Sequence, residues 1–246
     1  MKNNHFLVVL LFLPLFMLGQ ESKIDPAAIQ ILDNMNDLIG ELKSCSYDLS
    51  SSLDIMDPEH GLIKSFRESN VILVGPDKAY VSISGDGGNR HGFWYNGSVV
   101  NYYSYAENNY ATIEAPDNII ATIDSIHMKY DLEIPAADFF YPSFTDDILE
   151  AFETIEFLGV KVVDGKKCFH LKSANDEMEV QYWIASDAYF LPTRYLIMYK
   201  NKANMQYQAT FSNWKVNPDV PNAVFEFSPP PEAKEIKILA KNESPK

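Results

Sequence analysis

Cysteine is nearly absent. Cys45 and Cys168 are the only two in 246 residues, which excludes a disulfide-built scaffold. Beyond residue 20 the histidines are His60, His91, His127 and His170. None stands at a spacing from another ligand that zinc sites use. There is no Gly-x-Ser-x-Gly elbow and no glycine-rich phosphate loop. The carboxylate pairs Asp146-Asp147 and Asp176-Glu177 fall at helix starts or turns, where they serve the helix dipole and solvation. No nucleophile–base constellation can be named, so no enzyme activity, cofactor or metal is expected. Basic charge is also short. Lys and Arg number 20 against 34 Asp and Glu, for a net charge of −14. That argues against nucleic acid, which needs a basic footprint. It also argues against adsorption to anionic headgroups by bulk charge.

Long apolar runs are missing except at the start. Lys2 precedes an apolar stretch from Phe6 to Leu18 broken only by Pro14, and Gly19-Gln20 suit a cleavage site. Residues 1–20 read as a secretory signal peptide, too short for a stable membrane span. No cysteine follows the apolar stretch, so an exported protein without a lipid anchor is expected. No other segment is apolar enough to span a membrane. With no repeat or flexible linker in view, residues 21–246 read as a single domain and a monomer. In an oxidising compartment Cys45 and Cys168 can pair; equally, they suit two small buried apolar positions.

What is abundant is strand-forming aromatic sequence: 14 Tyr and 15 Phe, with hydrophobic residues at 46%. Asp25-Pro26 opens a helix as N-cap and first helical residue. Ile29, Leu32, Met35, Ile39 and Leu42 form its buried stripe. From Cys45 the period becomes two. Six or so strands follow as a meander between residues 45 and 113, with the Asn96-Gly97 hairpin turn as its sharpest signal. Ala115-Pro116-Asp117 begins a second helix, with Ile119, Ile120, Ile123, Ile126 and Tyr130 on its apolar side. An apolar insert and a short helix over 145–151 lead to further strands at 154–163 and 167–173, joined by Asp164-Gly165. Three consecutive antiparallel strands then occupy 179–214, with Trp183 on the first and Trp214 closing the last. Val224 to Phe227 reads as a short strand, and 233–239 as a last edge strand.

The order of Trp183-Ile184, Leu191-Pro192-Thr193-Arg194, Asn213-Trp214 and Phe225-Glu226-Phe227-Ser228-Pro229-Pro230 resembles the periplasmic lipoprotein-carrier (LolA/LolB-like) family. Ile31-Leu32-Asp33-Asn34-Met35, Gly75-Pro76-Asp77-Lys78, Trp94-Tyr95-Asn96-Gly97, Tyr110-Ala111-Thr112, Ile134-Pro135-Ala136-Ala137-Asp138 and Lys167-Cys168-Phe169-His170-Leu171 resemble, more closely, an uncharacterised family of predicted periplasmic proteins with that fold. Gly75 departs from it, standing where an arginine is expected. The resemblance implies a mainly β, α+β fold. A curved antiparallel sheet forms an unclosed barrel whose concave face is covered by helices. It also implies a periplasmic protein that binds or carries a lipid, an acyl chain or another hydrophobic ligand, or a lipidated protein. Related folds imply an alternative, an envelope-sensor or protein-interaction module that meets an envelope protein on the same face.

The aromatic residues Trp94, Tyr102, Phe139, Phe140, Trp183, Tyr199 and Trp214 are then candidates for a ligand cavity, with a plainly packed core as the competing reading. Phe139-Phe140-Tyr141, flanked by Pro135 and Pro142, is the candidate lid, being apolar in a segment where a solvated loop would be polar. His170, between Phe169 and Leu171, reads as a satisfied core histidine rather than a base.

Overall fold

The structure is a computed structural model that describes residues 23–130, 134 and 136–241. The expected signal peptide, residues 1–20, lies outside them. Helix α1, Pro26–Glu41, begins as anticipated. Asp25 caps it by accepting a 2.8 Å hydrogen bond from the Ala27 N–H, and Pro26 occupies the first turn. Ala28, Ile31, Leu32, Met35 and Ile39 form its buried stripe.

Six strands follow without a helix between them: β1 Ser44–Asp57, β2 Gly61–Val74, β3 Lys78–Gly85, β4 Arg90–Tyr95, β5 Val99–Ser104 and β6 Asn109–Glu114. Helix α2, Ile119–Tyr130, a 3-10 turn at Ala137–Phe140 and helix α3, Phe144–Ala151, come next. A second meander is made of β7 Thr154–Val163, β8 Lys166–Ala174, β9 Met178–Ala185, β10 Pro192–Tyr199 and β11 Met205–Val216. β12 is two residues, Lys234–Glu235.

Among the described residues these strands form one twelve-stranded, curved and unclosed sheet. Its order is β12-β6-β5-β4-β3-β2-β1-β11-β10-β9-β8-β7. The two meanders are joined by the antiparallel pairing of β1 with β11, from Cys45 opposite Val216 to Leu53 opposite Tyr207. The β12–β6 pair is parallel and the other strand pairs are antiparallel. The main core lies on the concave face. There α1, the 3-10 turn and α3 pack on Cys45, Tyr47 and Leu49 of β1, Val71 of β2, Leu171 of β8, Val180, Tyr182 and Ile184 of β9, Tyr195 of β10 and Ala209 and Phe211 of β11.

Two details differ from the expectation. Val224 to Phe227 is not a strand: Asn222–Phe225 closes one 3-10 turn and an extended segment follows. Pro221 before it and Pro229-Pro230-Pro231 after it supply no backbone N–H for a ladder. The segment crosses the outer face of the first meander instead. Phe225 is fully buried there, and the Phe227 ring lies 4.9 Å from Trp94 and 5.7 Å from Tyr110. The disulfide left open by the sequence is not made. Both thiols are free and buried. Strands β11, β10 and β9 separate β1 from β8, roughly 19 Å across the sheet at the usual strand spacing.

Burial raises the Cys45 thiol to about 12 and moves Cys168 the same way. Native protein should therefore react slowly with a thiol reagent at mildly alkaline pH and titrate two thiols once denatured; denatured protein that shows no thiol until a reductant is added would contradict free cysteines. Phe225→Ala should cost about 3–5 kcal/mol in urea unfolding. A cost under about 1 kcal/mol would mean that the carboxy-terminal strap is not part of the folded unit.

Candidate ligand-binding site

Strand side chains alternate between faces, so the register assigns each one. The rows Tyr47–Val71–Val81–Phe93–Tyr102–Ala111 and Leu49–Ser69–Ile83–His91–Ser104 point to the concave side, as do Tyr182, Tyr195 and Phe211. The concave face has two unlike halves.

Under α1 and α3 it is filled. Phe139 is 3% exposed. Its ring lies 5.0 Å from Phe144, 5.3 Å from Tyr195 and 5.6 Å from Phe211. Phe140 stacks at 6.0 Å on Tyr47, whose ring is 4.4 Å from Trp214. Trp214 donates its indole N–H to the Pro192 carbonyl at 3.0 Å. Such edge-to-face and offset contacts add stability beyond burial alone. Burial pushes the phenols of Tyr47, Tyr182 and Tyr195 up.

Beside α2 the cover is thinner. Tyr95, Val100, Ser104 and Ala111 are buried there and Val81 packs against the main core, but Ile83, Phe93, Tyr102 and Ile113 are half-buried. So are Ile119, Ile120, Ile123 and Ile126 of α2, whose one fully buried residue is Thr122. The helix is held by polar contacts at its ends and flank. Ile119 N–H donates to the Pro76 carbonyl at 2.8 Å, and Asn118 Oδ1 accepts from the Ala121 N–H at 2.8 Å. Tyr141 donates its hydroxyl to Asp124 at 2.7 Å, and Thr122 donates to the Pro116 carbonyl that Tyr95 also reaches. The isoleucines are therefore an apolar stripe that is only partly buried.

The expected cavity residues separate accordingly. Phe139, Phe140 and Trp214 converge in the filled half. Tyr102 lies in the open half, its hydroxyl 2.9 Å from His91 Nδ1. Tyr199 sits on the concave side near the end of β10, with the Lys202 ammonium 4.9 Å above its ring. Tyr141 ties the insert to α2. Trp94 and Trp183 lie on the convex face. Trp94 packs on Tyr80 at 5.3 Å and lies so close over Gly92 that a Cβ there would strike its ring. Trp183 stacks on His170 at 4.5 Å. His170 is thus no core histidine. Its Nε2 meets Gln181 Oε1 at 2.9 Å, while its buried Nδ1 has no partner. Tyr47, Phe144, Tyr182, Tyr195, Tyr207 and Phe211 were not singled out by the sequence. Alternation carried the signal: in Val180-Gln181-Tyr182-Trp183-Ile184, Tyr182 shares its face with Val180 and Ile184, and Trp183 cannot.

Two depressions mark the middle of the sheet. One, of about 470 Å³, is lined by Ser46, Tyr47, Asp48, Asn70, Asn213, Trp214 and Lys215. It lies at a β-bulge where Asn213 and Trp214 together oppose Tyr47, with Asn213 at φ 54°. The bulge turns Asn213 outward to donate to Asp48 at 2.7 Å, and Trp214 inward. The other, of about 20 Å³, is lined by Ser51, Leu53, Ser65, Arg67 and Tyr207.

Residues 28–239 match the family described as predicted periplasmic protein (DUF2092). The chain belongs to this family. The compartment anticipated from the sequence, the periplasm, follows with it. No helix among the described residues is long and apolar enough to cross a membrane. No curated protein matches in sequence. Among solved structures the chain resembles the lipoprotein LppX of Mycobacterium tuberculosis, 15% identical, at a TM-score of 0.51 over 80% of this chain and 98% of that one. It is also similar to the LolA superfamily protein NE2245 of Nitrosomonas europaea, 12% identical, at 0.40 over 81% and 97%. A third likeness is to MucB, solved in complex with MucA(peri), 10% identical, at 0.44 over 86% and 62%. The likeness to LppX shows a shared fold.

The Asn213 and Asn70 hydrogen bonds hold the Asp48 carboxyl below its ordinary range. A depressed carboxyl stabilises the fold above the unfolded-state value and loses that contribution as pH falls through the folded one. Asp48→Asn should therefore be less stable than wild type at neutral pH, with the gap closing below about pH 4 in urea titrations. An unchanged gap at low pH would show that the charge is not what holds the bulge.

Proposed function

We propose that this chain is a periplasmic binding or carrier protein that holds an acyl chain, a lipid or another hydrophobic ligand between the first meander and α2. Residues 21–246 act as one domain and as a monomer, with no chemistry of their own. The observation that carries this reading is the contrast between the two halves of the concave face. The half under α1 and α3 holds the main cluster of buried side chains. In the other, Tyr95, Val100 and Ala111 are buried, but Ile83, Phe93 and Ile113 of the sheet and the isoleucines of α2 stay only partly buried. Apolar surface held at a helix–sheet interface without being buried is what a ligand would complete. At about 25 cal/mol per Å² of apolar surface removed from water, covering two such walls supplies binding energy without a catalytic group.

The site differs from the lid first expected. Phe139 belongs to the core and Phe140 to the Tyr47 stack, so the covering element is α2. The alternative, a protein-interaction or envelope-sensor module expected on the same concave face, has a second surface to draw on. The β1–β2 hairpin extends an apolar tip in which Met56 is 61%, Leu62 55% and Phe66 53% exposed. A bound polypeptide would cover that tip rather than the α2 trough.

Native mass spectrometry of protein purified from periplasm without detergent, followed by solvent extraction, separates the two. The carrier reading predicts a reproducible extra mass that extracts as lipid, and a loss of most of that occupancy in Ile123→Asn with the melting temperature nearly unchanged. A clean apo mass alongside a stoichiometric protein partner would overturn it in favour of the interaction module.

A further inference from the structure

Arg67 is exposed, yet it stands at a position of β2 that faces the apolar concave side. It pairs with Ser51 across the β1–β2 ladder, which fixes it on the same face as Leu49, Leu53 and Val71. Among the concave-facing positions of β1, β2, β3, β9, β10 and β11 it is the one basic residue. Among the described residues its guanidinium has neither an ion-pair nor a hydrogen-bond partner. This is notable in a chain of net charge −14. Other cations of the sheet find acids: Lys64 reaches Asp54, Lys172 reaches Glu179 at 3.0 Å, and Arg194 reaches Asp164 at 2.9 Å.

The neighbours of Arg67 are hydroxyls. Two adjacent rows of the sheet, Ser65–Leu53–Tyr207 and Arg67–Ser51, line the 20 Å³ pocket. That is room for one water-sized guest. Ser51 is 8% exposed. The Tyr207 hydroxyl is sealed from solvent and lies beside those of Ser51 and Tyr195, without a well-formed hydrogen bond to either. A buried hydroxyl without a full hydrogen bond is destabilising. An acceptor oxygen entering the pocket would relieve it and meet the guanidinium fork as well.

The position fits a guest of the trough. From the Arg67 row the concave face continues through the Ile83 and Val81–Phe93 rows to the Ala79–Tyr95 row beside α2. Three two-residue steps along the strands span about 20 Å, room for an extended acyl chain.

We propose that Arg67, with the hydroxyls of Ser51, Ser65 and Tyr207, forms an anion subsite that binds the carboxylate or phosphate oxygens of an amphiphile whose chain lies beneath α2. The inference rests on the carrier reading and narrows it: the cargo is an anionic amphiphile, selected against a neutral one of equal length. Arg suits this role because its planar fork engages two oxygens at once. The chain's overall negative charge keeps the protein off anionic bilayers in bulk, while one local cation recognises a single headgroup.

The test measures binding of palmitate, hexadecyl phosphate and hexadecanol to delipidated protein, in wild type, Arg67→Gln, Arg67→Lys and Tyr207→Phe. The expected result is tighter binding of one or both anions than of hexadecanol. Arg67→Gln should lose about ten-fold or more of the anion affinity while leaving hexadecanol unchanged. Arg67→Lys should recover part of the loss, and Tyr207→Phe should show a smaller one. The carboxylate and phosphate arms identify which headgroup source fits. Equal binding of all three probes, unaffected by Arg67→Gln, would overturn the anion subsite and leave the carrier reading standing. Binding of none of them by folded wild-type protein would overturn both. Circular dichroism of each variant separates a lost subsite from a lost fold.

Discussion

The structure depends on the seam between β1 and β11. Each meander alone is a local product of turn chemistry: Asn96-Gly97 in the first, Asp164-Gly165 in the second. Neither explains why the chain makes one sheet instead of two. Pairing Cys45–Leu53 with Tyr207–Val216 closes a loop of most of the chain, an entropic cost that local contacts do not meet. What offsets it is burial at the seam itself. Tyr47 on β1 meets Phe211 and Trp214 on β11, α1 crosses above them, and the Asp48–Asn213 hydrogen bond fixes the bulge from outside. The bulge sharpens local twist and so helps bend the sheet.

That bend divides the concave face. On one side of the seam α1, α3 and the 3-10 turn are brought over β9–β11, and Phe139 completes a dense aromatic core. On the other side, beyond β2, there is one helix for five strands, and it is anchored through carbonyls and a Tyr–Asp hydrogen bond more than through buried side chains. The same sheet is thus a finished core at one end and an unfinished one at the other. A protein whose task is to hold something needs the second property, and the first makes it affordable in stability.

Much of this was legible in the residues. The period of two from Cys45, the period of three and four from Pro26 and from Ile119, and the turn dipeptides placed the helices and strands to within a few positions. The family resemblance supplied the curvature. Three things were not legible, each for a physical reason. The β1–β11 seam is a long-range pairing, and local sequence carries no register for it. Phe225-Glu226-Phe227 has strand composition but is flanked by prolines, so packing against Trp94 and Tyr110 decided its path. The tryptophans drew attention by size, yet Trp94 and Trp183 face outward. The alternation beside Tyr182 and Ile184 held that information, and it was outweighed by the expectation that large aromatics line cavities. Arg67 gave no signal at all, because an arginine in a strand reads as solvated until its face is known.

The most direct test of the central claim, that the acyl chain of a guest lies in the unfinished half and not in the aromatic core, is methyl NMR of protein labelled at isoleucine, leucine and valine, titrated with an acyl ligand. The account predicts shifts concentrated at Val81, Ile83, Ile113, Ile119, Ile120, Ile123 and Ile126, with Leu32, Leu171 and Ile184 unmoved. Shifts centred on Leu32, Leu171 and Ile184 would contradict it. They would mean that the aromatic core under α1 opens to take the ligand, and that the half beside α2 is not the site.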